Sequence, residues 1–214
     1  MSLGPSLSRV AVGPRPDGIV LMLHGGKATG RTAVEDSSAS WRRSRWMMAQ
    51  ISGRLNRGGA SVWLLRYGVH GWNAGAGPEP SPVPDARWAL NQVRREHGDV
   101  PVVLLGHSMG ARTAVAVADH PNVVGVVALA PWLPADEPNA ALAGRALAAA
   151  HGRSDRITSY RQTAAFCRRA EGVASSVELR DMGHVGHYML RRVPAWNDFA
   201  VIHSLDQLGV GRPL

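Results

Sequence analysis

The sequence predicts an α/β protein in which a doubly wound, mostly parallel sheet carries helices on both faces. Short apolar runs alternate along the chain with helix-length segments, which is the pattern of such a sheet. Two of these runs end in glycine-rich turns, at residues 24–26 and 106–110. Since 45% of the 214 residues are hydrophobic, the chain can build one full-sized core, and we expect a single domain over residues 1–214.

The apolar runs and the punctuating residues between them predict the individual elements. Strands are expected at about 19–24, 60–66, 100–106, 123–129, 145–151 and 175–181, with a weaker edge strand near 8–12. Helices are expected at about 39–57, 84–97, 109–120, 158–171 and 194–209. The glycine- and proline-rich segment 67–84 and the polar segment 27–38 follow strand ends, so we expect them to form the rims of a binding site.

Composition excludes several classes of protein. The formal net charge is +8, but the arginines are spread along the chain and no nucleic-acid-reading motif accompanies them, so no nucleic-acid partner is expected. The apolar runs are far shorter than the roughly 20 residues that a membrane-spanning helix needs. The first nine residues lack the features of a secretion signal, so a cytoplasmic protein is expected. The one cysteine, Cys167, lies in a helical pattern and is expected to be structural.

The strongest chemical signal surrounds Ser108. An apolar strand leads into Gly106-His107-Ser108-Met109-Gly110, and a helical segment follows. A serine on such a sharp turn is held in a strained backbone geometry that exposes its hydroxyl, and the small flanking residues let the strand and helix approach. This context predicts a nucleophilic serine.

A second glycine-rich turn predicts where a developing oxyanion is bound. The strand at 19–24 ends in His24, Gly25 and Gly26. Acyl transfer needs two N–H donors directed at the oxyanion, and the expected donors are the amides of Gly26 and Met109. His24 is expected to brace the surrounding loops.

A serine hydroxyl needs a base, and the order nucleophile, acid, histidine restricts the search to histidines after Ser108. His184 follows the last predicted strand in a Gly-His turn and is the expected general base. His187 lies three residues further on and is the rival, whereas His203 is expected to lie within the last helix.

The acid that orients the histidine is expected in a loop after the penultimate strand. Asp155 lies there, and its carboxylate would hold the imidazole tautomer and stabilise the imidazolium. The alternative role for Asp155 is to cap the helix that begins near Thr158. Asp136 and Asp181 are the competing acids.

These motifs together resemble the α/β-hydrolase superfamily over about residues 17–210. The resemblance implies an eight-stranded or slightly reduced sheet with the serine on the turn between a central strand and the next helix. Many members insert a helical cap before the acid strand, but here only residues 131–144 are available. We therefore expect a minimal cap or none, with Trp132 and Trp72 as walls of the substrate site, and the alternative for both tryptophans is ordinary packing.

The expected activity is hydrolysis of carboxylic esters, because this reaction is the least demanding one for such a set of residues. Thioester hydrolysis, peptidase action and acyl transfer remain alternatives, as does a catalytically silent binding protein of the same fold. The expected partner is a small-molecule acyl substrate. No metal or organic cofactor is expected, since no cluster has metal-ligand spacing and no phosphate-binding loop is evident.

Overall fold

A computed structural model describes residues 4–75 and 77–211 of the protein. Residues 1–3 of the N-terminal segment, residue 76 of the expected rim loop and residues 212–214 lie outside this range. The ends of the expected domain therefore lie outside the described residues.

The described strands form one seven-stranded sheet in the order β1-β3-β2-β4-β5-β6-β7. Strand β1 pairs antiparallel with β3, and every other neighbouring pair is parallel. Central strands such as β2 and β4 are buried along their whole length, as expected for a sheet covered on both faces. The strands are β1 (Ser6–Val10), β2 (Gly18–Leu23), β3 (Ala60–Arg66), β4 (Val102–His107), β5 (Val123–Leu129), β6 (Ala146–His151) and β7 (Ser176–Asp181).

Helices cover both faces of this sheet, so the predicted fold class is confirmed. Helices α1 and α5 pack against each other on one face, whereas α2 and α3 pack together against the other, as right-handed crossovers require. Helix α4 packs against β6 and β7. The helices are α1 (Ala39–Arg57), α2 (Pro82–His97), α3 (Met109–Ala116), α4 (Tyr160–Ala170) and α5 (Val193–Leu208).

The connection between β5 and β6 bears on the expected cap. It contains a single short 3₁₀ turn, Ala140–Leu142, among the described elements, so the prediction of a minimal cap is confirmed.

Helix α3 ends at Ala116, four residues earlier than expected, because Val117 leaves the helical region at φ −113° and ψ 11°. Cys167 is buried in α4, and burial raises the pKa of its thiol to about 11, which fits a structural residue.

None of the described helices combines the length and the apolar character needed to cross a bilayer.

Candidate active site

The turn between β4 and α3 holds Ser108 in a conformation that L-residues rarely adopt, with φ 55° and ψ −118°. Two glycines make the turn possible. A Cβ on Gly106 would overlap the backbone of Ala111, and a Cβ on Gly110 would overlap the carbonyl of Leu23 at the end of β2. The strain therefore presents the Ser108 side chain at the carboxyl edge of the sheet, where α/β proteins bind their ligands.

The imidazole of His187 joins this serine to a carboxylate. Its Nε2 lies 2.9 Å from Oγ of Ser108, and its Nδ1 lies 2.8 Å from Oδ2 of Asp155. All three side chains are buried, the carboxylate with only 1% of its surface exposed. The three residues form one continuous chain of hydrogen bonds with the geometry of a serine–histidine–acid triad.

The structure corrects the prediction that His184 lies beside the serine. After β7 the chain runs through a loop in which Val185, His187 and Met189 are buried while His184 and Tyr188 are exposed. Turns place these side chains inward, since Gly183 and Met189 have φ of 76° and 55° and the amide of Met189 donates to the carbonyl oxygen of Gly186 at 3.3 Å. His184 is out of phase with the inward-facing residues, and the rival His187 occupies the place next to Ser108.

Two side chains beneath this loop hold its backbone in place. Nε2 of His107 lies 3.0 Å from the carbonyl oxygen of His187. The guanidinium of Arg43 donates to the carbonyl oxygens of Tyr188 at 3.1 Å and Met189 at 3.4 Å. Three consecutive carbonyls of an otherwise irregular segment are therefore anchored, which fixes the position of the His187 ring.

Asp155 lies in the loop after β6 and is surrounded by donors. Its Oδ1 accepts the amides of Ile157 at 2.8 Å and Thr158 at 2.9 Å. Its Oδ2 contacts His151 at 3.1 Å and the Thr158 hydroxyl at 2.9 Å, in addition to His187. Burial alone would raise the pKa of Asp155, but the hydrogen bonds from His151, His187 and the loop amides outweigh it and hold the pKa well below its usual range.

The competing acids lie outside this constellation. Asp136 is exposed, and Asp181 is exposed and paired with Arg153. The alternative role of Asp155 as the cap of α4 is also excluded, because the Ser159 side chain accepts the capping hydrogen bond of that helix.

The structure brings Gly26 and Met109 together next to the serine. A Cβ on Gly26 would overlap the Met109 side chain and the carbonyl oxygen of His70, so only glycine fits. Neither residue's backbone N–H has a hydrogen-bond partner within residues 4–75 and 77–211. For Met109 this follows from its place as the first residue of α3, where amides have no intrahelical acceptor. The assignment of these two amides as oxyanion donors stays a prediction.

Two further histidines are completely or almost completely buried around the site. His24 contacts the carbonyl oxygen of Gly25 through Nδ1 at 2.7 Å and accepts the amide of Tyr67 on Nε2 at 3.3 Å, so it braces two strand ends. Burial lowers the pKa of His24 to about 4. Burial, together with the nearby His187, lowers the pKa of His107 to about 3. Both rings are therefore neutral near pH 7.

These two buried histidines predict a loss of stability in mild acid. The unfolded chain binds a proton at each site below about pH 6.5, but the native protein does not do so until about pH 4 for His24 and pH 3 for His107. Below pH 6.5 the free energy of unfolding should fall by about 1.4 kcal/mol per pH unit for each histidine. Urea unfolding between pH 7 and pH 5, above the range in which carboxylates titrate, measures this slope.

Two controls make that measurement specific. Replacing His24 with Gln should reduce the slope by about 1.4 kcal/mol per pH unit, whereas replacing the exposed, non-titrating Ser175 with Ala should leave the slope unchanged. A free energy of unfolding that stays constant from pH 7 to pH 5 would show that these rings are not buried in the neutral form.

A cavity of about 130 Å³ opens above Ser108 and His187. The exposed side chains of Ile157 and Tyr188 flank it, and a neighbouring groove that includes Trp46 and Leu190 continues from it. These four are among the few large apolar side chains that are exposed in the described part of the chain. The mouth of the site is therefore bordered by apolar surface.

Trp72 and Trp132, the predicted walls of the substrate site, do not border the cavity above Ser108. Trp72 is buried and packs at 6.2 Å, edge to face, on Trp132. The guanidinium of Arg112 stacks on both rings, at 4.2 Å and 4.6 Å, and pairs with Glu137 at 2.6 Å. Neither indole lines the cavity above Ser108, which corrects the prediction of Trp72 and Trp132 as its walls. Trp72 is a packing residue, whereas Trp132 borders a separate surface depression of about 420 Å³.

Within the described ranges, no group of three or more His, Cys, Asp or Glu side chains is arranged to hold a metal ion. The expectation that the protein needs no metal or organic cofactor stays a prediction, and chelation with EDTA should therefore leave its activity intact.

Fold and site together define a class of protein, and the comparison with known families agrees. A model of the alpha/beta hydrolase family matches residues 20–209, and the chain belongs to this family. Membership supports a hydrolase activity. No curated protein matches the chain by sequence.

Solved structures with the same fold include several hydrolases. A serine hydrolase without lid from Xanthomonas campestris is 16% identical, with a TM-score of 0.66 over 95% of this chain and 88% of the other. A monoacylglycerol lipase from Paleococcus ferrophilus is 14% identical, with a TM-score of 0.65 over 96% and 100%. Est1E from Butyrivibrio proteoclasticus, solved with bound ferulic acid, is 12% identical, with a TM-score of 0.66 over 96% of each chain. At these identities the likeness shows the fold.

Proposed function

We propose that this protein is a serine-dependent hydrolase that cleaves carboxylic esters through an acyl-enzyme on Ser108. The observation that carries the proposal is the unbroken hydrogen-bonded chain from Ser108 through His187 to Asp155, with links of 2.9 Å and 2.8 Å, at the base of an open cavity. In this assignment the general base is His187, in place of the residue expected from the sequence.

Acylation uses the two sides of the His187 ring. Nε2 takes the hydroxyl proton of Ser108 as Oγ bonds to the ester carbonyl carbon, and the carbonyl oxygen becomes an oxyanion. The amides of Gly26 and Met109 donate to this oxyanion. Collapse of the tetrahedral intermediate breaks the bond to the alcohol, which leaves with the proton from the imidazolium.

Deacylation repeats the sequence with water as the nucleophile. His187 removes a proton from the water as its oxygen attacks the acyl carbon, and then returns that proton to Oγ of Ser108 as the carboxylic acid departs. Asp155 remains ionised throughout, in keeping with its depressed pKa, and holds the proton of His187 on Nδ1. The products are an alcohol and a carboxylic acid, and the serine is regenerated.

The shape of the site supports a substrate with an apolar group of modest size. The cavity above Ser108 is small, the connection between β5 and β6 adds only one short turn, and the mouth is bordered by Ile157, Tyr188 and Leu190. An acyl or alcohol group that extends onto this surface would remove apolar area from water, at about 25 cal/mol per Å². Simple esters with apolar acyl groups are the natural first substrates.

The nucleophile is tested by covalent labelling. A fluorophosphonate probe should modify Ser108, as located by peptide mass spectrometry, because only an activated serine displaces fluoride from such probes. Ser108→Ala should lose both labelling and at least about 10⁴-fold in kcat on a chain-length series of p-nitrophenyl esters. Ser175→Ala, at an exposed position before β7, is the matched control and should keep both.

An adduct on any residue other than Ser108, or full esterase activity in Ser108→Ala, would overturn the assignment. The same panel extended to thioesters and amides ranks the acyl substrates, and a higher kcat/KM for thioesters than for matched esters would contradict the choice of esters.

A further inference from the structure

The carboxylate of Asp155 contacts a second imidazole besides that of His187. His151 is the last residue of β6, and its side chain is fully buried. Its Nε2 lies 3.1 Å from Oδ2 of Asp155, the same oxygen that His187 contacts. Its Nδ1 lies 2.8 Å from the hydroxyl of Thr163 in α4. No step of the proposed reaction uses this histidine.

The charge of the carboxylate determines the direction of these hydrogen bonds. An ionised Asp155 only accepts, so His151 donates its Nε2–H and leaves Nδ1 to accept the hydroxyl proton of Thr163. On the opposite side, His187 donates its Nδ1–H and accepts the hydroxyl proton of Ser108. One carboxylate oxygen therefore lies between two imidazole–hydroxyl pairs, of which only one faces the cavity.

The backbone amides that bind Asp155 contact its other oxygen, so the contacts to Oδ2 come from side chains. The amides of Ile157 and Thr158 bind Oδ1. The hydroxyl of Thr158 lies 2.9 Å from Oδ2, but it also lies within 3.1 to 3.4 Å of Nδ1 of His187, Nε2 of His151 and the carbonyl oxygen of Ala130, so it is shared among four neighbours. His187 itself lies on an irregular loop and changes its charge during the reaction. His151 is the donor to Oδ2 that is carried by a strand and takes no part in the proton transfers.

We propose that His151 is a positioning residue that fixes Oδ2 of Asp155 towards His187, independently of the loop that carries His187. Its effect on catalysis rests on the proposed function, but its effect on the His187 ring does not. Because the acid and the base lie on separate loops, the loop that carries His187 does not by itself set the orientation of the carboxylate. A hydrogen bond from rigid β6 supplies that orientation.

Two amide substitutions separate this role from simple packing. In His151→Gln the side-chain amide nitrogen takes about the position of Nε2, so the donor to Asp155 is kept. In His151→Asn the amide nitrogen takes about the position of Nδ1, so it reaches Thr163 but not Asp155. His151→Leu removes both contacts at similar volume. Thermal unfolding establishes that each variant is folded before it is assayed.

We expect His151→Asn and His151→Leu to lower kcat on p-nitrophenyl esters by about 10- to 100-fold, as expected for the loss of one hydrogen bond to a charged group. KM should change by less than about threefold, because His151 does not line the cavity. His151→Gln should restore kcat to within about threefold of the unmodified protein. In nitrogen-15 NMR, the Nδ1–H signal of His187 should persist in His151→Gln and be lost in the other two variants.

An unchanged kcat and an unchanged Nδ1–H signal in His151→Asn would overturn the proposal, as would equal losses in the Gln and Asn variants. The NMR signal separates this proposal from the proposed function. If the unmodified protein cleaves no ester and Ser108 takes no label, the proposed function fails, while the Nδ1–H signal across the three variants still decides the role of His151.

Discussion

Replacing His187 with Ala is expected to lower kcat on p-nitrophenyl esters by about 10⁴- to 10⁶-fold, the range found when a triad base is removed. The ring accepts the Ser108 proton at a distance of 2.9 Å, and within residues 4–75 and 77–211 no other imidazole nitrogen contacts that hydroxyl. Fluorophosphonate labelling of Ser108 should fall by a similar factor, because it requires the same proton transfer. Single-turnover assays and labelling rates measure both losses.

His184→Ala is the matched control, because it removes the same side chain from an exposed position three residues earlier in the same loop. Surface substitutions of this kind change free energies by about 0.5 kcal/mol or less, so kcat should stay within about twofold. A large loss in His184→Ala together with near-normal activity in His187→Ala would reverse the assignment of the base.

The turn that carries Ser108 could be predicted from the sequence because residues close to it in the chain determine its shape. Gly106, Ser108 and Gly110 lie within five residues, and Gly106 is required by its contact with the backbone of Ala111 in the same strand–turn–helix unit, although Gly110 is required by Leu23 of β2. The same holds for Asp155, which follows a recognisable strand and a Gly152 that packs against the histidine loop. Central strands were recognisable because continuous apolar runs are characteristic of parallel sheets.

Residues close in the sequence do not decide whether His184 or His187 is the general base. Gly183 precedes His184 and Gly186 precedes His187, so the turn residues do not distinguish them. His187 shares a two-residue spacing with the buried apolar residues Val185 and Met189, whereas His184 does not. The side that faces Ser108 is set by turns at Gly183 and Met189, with φ of 76° and 55°, and the spacing alone does not specify those turns.

The roles of the tryptophans and of His151 depended on tertiary contacts. Nothing in the sequence pairs Trp72 with Arg112, yet the stacked guanidinium explains why that indole is buried outside the site. His151 had a weak local signal, since it precedes Asp155 by four residues in a tight loop after a strand. That spacing indicates contact only once the loop conformation is known.

Replacing Asp155 with Asn is expected to lower kcat by about 10⁴-fold while leaving the fold intact. The carboxylate accepts from His151, His187 and Thr158 on one oxygen, and an amide offers that site one acceptor and one N–H group. The amide oxygen stays with the amides of Ile157 and Thr158, so the amide N–H takes the place of Oδ2 and faces Nδ1 of His187. Nδ1 must then accept, the ring proton moves to Nε2, and the nitrogen facing Ser108 no longer accepts a proton.

Asp181→Asn is the corresponding control, since Asp181 is an exposed acid that pairs with Arg153 at the surface. Such pairs contribute about 0–1 kcal/mol, so this variant should keep kcat within a few-fold. Nitrogen-15 NMR of the imidazole should show His187 losing its Nδ1–H signal in Asp155→Asn and keeping it in Asp181→Asn. Near-normal kcat with an altered tautomer in Asp155→Asn would mean that the carboxylate does not orient the catalytic base, and the acid would have to be sought elsewhere at this edge of the sheet.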